Sequence, residues 1–129
     1  MISGETTRGP HSSYVAALVN AAVVAAEDKL SRDSVVLDLR ELVDSFDALV
    51  VASGRNDRQV RAIAEEVERL VELALYVKPI RVEGWVAAEW IALDYGDVIV
   101  HVFDEAAREY YDLEHLWNAA PAFRTAPIA

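Results

Sequence analysis

Two runs of alternating apolar residues, 89–93 and 98–103, flank Tyr95-Gly96 in a stretch reading Trp-Val-Ala-Ala-Glu-Trp-Ile-Ala-Leu-Asp-Tyr-Gly-Asp-Val-Ile-Val-His-Val-Phe over residues 85–103. Alternation with period two and a glycine at the turn predict a β-hairpin, because glycine supplies the positive φ that a tight turn needs. With Tyr95-Gly96 as the two-residue turn, Asp94 pairs with Asp97, Ala92 faces Ile99 and Trp90 faces His101. One face then carries Trp90, Ala92, Asp94, Asp97, Ile99, His101 and Phe103. The other carries Ile91, Leu93, Tyr95, Val98, Val100 and Val102. The second set, apolar apart from one phenol, is the natural core face. The first mixes aromatic rings, a histidine and carboxylates, as surfaces that meet another macromolecule do.

The rest of the chain reads outward from this hairpin. Residues 1–13 are rich in Gly, Ser and Thr and are expected to be a disordered tail. Apolar residues from Val15 to Leu30 recur at three and four, predicting a helix over 14–30. Short strands are expected at 35–39 and 46–53, the second apolar on both sides as a central strand would be. Gly54 ends that strand. Asn56 and Gln59 have capping-box spacing, and a helix runs on to Leu75 with Val60, Ile63, Ala64, Val67, Leu70, Val71 and Ala74 as its buried stripe. Lys78-Pro79 stops it before a strand at 80–83. After the hairpin, Asp104 caps a last helix over 105–119, on which Tyr110, Tyr111 and Trp117 are read as core-seeking aromatics. Residues 121–129 are expected to be a second tail, leaving one domain at 14–120. The fold class is α/β: one mixed five-stranded sheet with helices mainly on one face.

Composition excludes several functions. The chain has no cysteine, so thiolate chemistry, Cys-based zinc sites and disulfides are absent. Twelve basic against 22 acidic residues leave a net charge of −10, which repels a phosphate backbone and favours basic protein surfaces over direct, sequence-specific nucleic-acid binding. No apolar run approaches the roughly 18 residues of a membrane span. A cytoplasmic protein without a membrane contact is the expectation.

Three constellations could carry chemistry. Ser53-Gly54 before a helix N-terminus could cradle a phosphate, but a second glycine and the Lys-Ser/Thr pair of a P-loop are missing, and Asp57 would repel an anion. Asp94 and Asp97 could approach across the turn and hold a metal; such aspartates more often accept turn amides. His101 has neither a cysteine nor a serine elbow to activate. Catalytic, metal and cofactor sites are therefore expected to be absent, with a metal-dependent nucleotidyltransferase-like enzyme and a homodimeric adaptor as the alternatives from other classes.

Four blocks, in order and at matching separations, carry a resemblance: Ala-Ser-Gly-Arg-Asn-Asp-Arg-Gln-Val at 52–60, Arg-Val-Glu-Gly at 81–84, the hairpin from Trp90 to Phe103, and Arg-Glu-Tyr-Tyr-Asp-Leu-Glu-His-Leu-Trp at 108–117. Over residues 15–119 the chain resembles the ribosomal silencing factor, or Iojap, family. The resemblance implies a nucleotidyltransferase-like fold without the catalytic carboxylates. It also implies a translational repressor that binds a basic protein of the large ribosomal subunit, the fourteenth in standard numbering, and blocks joining of the small subunit. Ala88 departs from the pattern, where glycine is frequent. The expected protein-binding residues are Trp90, Asp94, Tyr95, Asp97, Ile99 and His101.

Overall fold

The computed structural model describes residues 11–124. The elements run α1 Ser13–Asp28, β1 Val35–Asp38, β2 Ala48–Gly54, α2 Asp57–Leu75, β3 Arg81–Glu83, β4 Trp90–Asp94, β5 Val98–Asp104, α3 Glu105–Tyr111, the single turn α4 Leu113–Leu116, and β6 Ala122–Arg124. One six-stranded sheet has the order β3-β4-β5-β2-β1-β6. Only β2 and β5 are parallel; the other neighbours are antiparallel.

β2 is buried at all seven positions, as its two-sided apolar run requires of a central strand. On one face α1 and α2 pack through Val15, Leu18, Val19, Val60, Ile63 and Val67 onto Val50, Ala52, Ile91, Leu93, Val100 and Val102. Each fully buried Val, Leu or Ile stabilises by roughly 1.5–3 kcal/mol, against a few tenths for an exposed helix ion pair such as Arg61–Asp57, so the apolar stripe fixes α2. Asn56 caps α2 by accepting from the Gln59 amide. The Gln59 side chain does not close a box on Asn56: its oxygen accepts from the Arg55 amide, and its nitrogen donates to the carbonyls of Lys29 and Leu30, joining the end of α1 to the start of α2.

Several expectations need correction. The sheet has six strands, not five. The sixth lies in the stretch assigned to a C-terminal tail: residues 122–124 pair with β1, Phe123 packs against the core, and the Pro121 carbonyl accepts from the Asp38 amide. Three residues are too few to show a period, so this strand leaves no trace in the sequence. At the other end, Ser12 caps α1 and His11 is buried 3.5 Å from Asp38, so the first element begins inside the expected tail; residues 1–10 and 125–129 lie outside the described residues. The helix expected over 105–119 is broken. Asp112 turns left-handed at φ 48°, ends α3, and caps α4 by accepting from the His115 amide. Tyr110 and Tyr111 are consequently exposed, while Trp117 packs against the second core cluster.

The two long helices share one face, as expected. The opposite face carries its own smaller cluster, in which Val35, Leu37, Leu49, Val51 and Phe103 meet Ala107 of α3, Leu113 of α4 and Trp117. Arg108 fastens this second layer. Its guanidinium donates to the carbonyls of Arg32 and Asp33, to Ser53 Oγ, and to Glu114, which also holds Arg124 of β6.

Candidate protein-interaction face

The second layer covers only part of its face. Cα partners across neighbouring strands share a side of the sheet, so Glu83, Ala92, His101 and Val51 form one row, and Arg81, Asp94, Ile99 and Leu49 form another. Val51 and Leu49 lie beneath the second cluster, whereas Ala92, Asp94, Ile99 and His101 are only partly buried. The half of the sheet made by β3, β4 and the near edge of β5 is thus left open.

The hairpin closes differently from the sequence expectation. Tyr95 donates its amide to the Val98 carbonyl, Asp94 faces Ile99, Ala92 faces His101 and Trp90 faces Phe103, so Gly96-Asp97 is the turn. Gly96, at φ 90°, supplies the positive angle. The offset is even, and every side chain therefore keeps its face.

Trp90 is the centre of the open half. Its indole N–H donates to His101 Nδ1 at 2.8 Å, and its ring lies 4.9 Å from Phe103 and 4.7 Å from Tyr111, centroid to centroid. A nitrogen that accepts carries no proton, so His101 is neutral here, and burial pushes its pKa down to about 4. Neither Trp90 nor His101 is sealed beneath a helix.

Asp97 is exposed, while its backbone carbonyl accepts from the amides of Asp47 and Ala48 and ties the turn to the start of β2. Asp94 Oδ1 accepts from the Gly96 amide, the turn role rather than a metal role. Ile99 is partly buried beside Leu49. Tyr95 is a correction: it points to the opposite face, 6% exposed within the main core, with burial raising its pKa, and it cannot touch a partner docked on the open half.

Gly84, Ala88 and Arg61 complete the surroundings. Gly84 follows β3 at φ 85°, and a Cβ there would lie 1.9 Å from the Trp90 carbonyl, so only glycine allows this approach. Ala88 sits at φ 54°, a left-handed conformation that glycine adopts with less strain. Arg61 of α2 donates to the carbonyls of Trp85 and Val86 and holds the connection between β3 and β4. The reason for Gly84 and Ala88 lies in backbone sterics, which side-chain patterning does not display.

The alternative sites are occupied by structural bonds. Ser53 Oγ donates to the Arg32 carbonyl, and its amide donates to Ser31 Oγ. Among the described residues no group of three His, Asp or Glu side chains could hold a metal ion, and no helix is long and apolar enough to cross a membrane.

Fold and face together define a class: a small mixed-sheet α/β domain that offers a half-open surface for contact. Residues 12–128 match the family model described as ribosomal silencing factor during starvation, and the chain belongs to that family, which acts in ribosome silencing during starvation. It is 38% identical over 105 residues to ribosomal silencing factor RsfS of Bacillus subtilis, covering 81% of this chain and 87% of that protein. A crystal structure of a Chromobacterium violaceum protein superposes with a TM-score of 0.75 at 39% identity, over 78% of this chain and 83% of that one. A more distant relative, mouse mitochondrial assembly of ribosomal large subunit protein 1, is 29% identical over 93 residues, covering 68% of this chain and 40% of that protein. The names of the bacterial relatives denote a regulatory role that is not catalytic.

Proposed function

We propose that this protein represses translation by binding a basic protein on the intersubunit face of the large ribosomal subunit, the fourteenth in standard numbering, and blocking the small subunit from joining. The carrying observation is the open half-sheet, where Trp90, braced by His101, Phe103 and Tyr111, shares a face with the Asp94–Ile99 pair four residues along β4, and Asp97 lies at the turn. A rigid, partly exposed tryptophan with carboxylates nearby suits a basic protein partner: the ring supplies affinity and the charges steer encounter. The net charge of −10 acts in the same direction and disfavours ribosomal RNA as the direct ligand. The mouse relative's name joins such a domain to large-subunit assembly, which supports the choice of subunit. Action by occlusion requires no catalytic group, and the working compartment is the one that holds ribosomes.

The test is sedimentation of the full chain with separated ribosomal subunits. The protein is expected in the large-subunit fraction and not in the small, and pre-incubation with large subunits should reduce the joined fraction after small subunits are added. Trp90→Ala, with its fold verified by circular dichroism, is expected to bind at least about tenfold more weakly, equivalent to roughly 1.4 kcal/mol. Equal sedimentation with both subunits, or undiminished binding by Trp90→Ala, would place the contact elsewhere.

A further inference from the structure

Beside Trp90 a pocket of about 250 Å³ opens on the sheet, lined by Glu83, Gly84, Trp90 and Ala92. We propose that it receives an arginine side chain of a protein partner, with Trp90 as the stacking wall and Glu83 as the counter-ion; this rests on the reading of the open half-sheet as the docking face.

The geometry selects a cation. Since the indole N–H is already donated to His101, Trp90 has no hydrogen bond left to offer and presents ring surface alone. An electron-rich ring next to a carboxylate attracts a planar guanidinium, which can stack on the indole while its N–H groups meet the carboxylate. Glu83 lies on the edge strand directly opposite Ala92 and makes no ion pair among the described residues, unlike Glu66 and Glu114, which are held by arginines. Ala92 leaves the floor clear because its side chain ends at Cβ. Gly84 lines the pocket without a side chain to occupy it. Arg81, two residues along the same side of β3, stands opposite Asp94, a different carboxylate.

The test uses the ¹⁵N-labelled full chain titrated with Nα-acetyl-arginine amide, and with the citrulline analogue, which keeps the shape but loses the charge. Saturable shifts at the amides of Glu83, Gly84, Trp90 and Ala92 are expected with arginine at millimolar to tens of millimolar concentration, and at least about fivefold weaker binding with citrulline. Glu83→Gln, which keeps the strand and removes the charge, should weaken the arginine response to a similar degree. No shift at these residues, or equal responses to both compounds, would overturn the pocket. Sedimentation separates this from the wider reading. If the wild-type chain binds large subunits and Glu83→Gln binds them equally well, the pocket falls and the ribosomal reading stands. If arginine titrates the pocket but the chain ignores large subunits, the pocket stands and the ribosomal reading falls.

Discussion

The indole nitrogen of Trp90 lies 2.8 Å from Nδ1 of His101, on the neighbouring strand and two residues along from Phe103, which stands directly opposite. This bond sets the tautomer of the histidine and the orientation of the tryptophan together. His101→Leu removes the acceptor and leaves a partly buried donor unpaired, a loss of about 1–3 kcal/mol. His101→Asn, whose side-chain oxygen can sit near the place of Nδ1, should recover most of it. Urea unfolding of the two variants, with the indole N–H resonance of Trp90 as a local probe, checks the difference; equal stabilities would mean that the bond contributes nothing.

The same histidine gives stability a pH dependence. Its pKa falls from 6.5 in the unfolded chain to about 4 in the fold, so between those values the unfolded state binds the extra proton. Stability should therefore decline as pH drops through this window, by on the order of 3 kcal/mol from His101. Burial lowers the His11 pKa as well, adding loss in the same direction. Burial of Glu114 opposes its ionisation, but Arg108 and Arg124 outweigh that and lower its pKa, so its contribution is lost only further down, below its ordinary value of 4.5. Denaturant midpoints measured from pH 7.5 downward should fall less steeply for His101→Asn than for the wild type.

Gly84 admits no side chain. With φ at 85° and a Cβ placed 1.9 Å from the Trp90 carbonyl, Gly84→Ala must push β3 away from β4. A loss of more than about 2 kcal/mol is expected, since left-handed strain and a backbone clash act together. The midpoint of urea unfolding reports it.

Tyr95 separates the core face from the open one. Its hydroxyl is buried without a hydrogen-bond partner among the described residues, so Tyr95→Phe removes a desolvated polar group and little packing. Stability should hold or rise by up to about 1 kcal/mol, and large-subunit binding should be unchanged. A binding loss with unaltered stability would return Tyr95 to the interface.

Arg108 holds the second layer in place, its side chain 12% exposed and bonded to four other residues. Arg108→Ala takes a partner from the part-buried Glu114 and Ser53 Oγ, while the Arg32 and Asp33 carbonyls turn to water, and should destabilise by about 1–3 kcal/mol. Because α3 carries Tyr111 against Trp90, hydrogen exchange should rise across α3 and α4 first.

Local chemistry in the sequence was enough to assign the faces of the hairpin, the central strand β2, the Asn56 cap and the stripe of α2 from Val60 to Val71. These depend on alternation, on helical period and on one side chain reaching its neighbouring amide, all within a few residues. The side of the hairpin on which Trp90 and His101 lie survived a misplaced turn because an even change of register cannot exchange faces. Tertiary structure alone decided the rest: the break at Asp112, the pairing of β6 with β1, the burial of His11 against Asp38, and the half of the sheet left uncovered. Each follows from contacts between distant parts of the chain, such as Arg108 reaching the Asp33 carbonyl across 75 positions. No local period encodes which surfaces such contacts will cover, and the open face around Trp90 is what they leave.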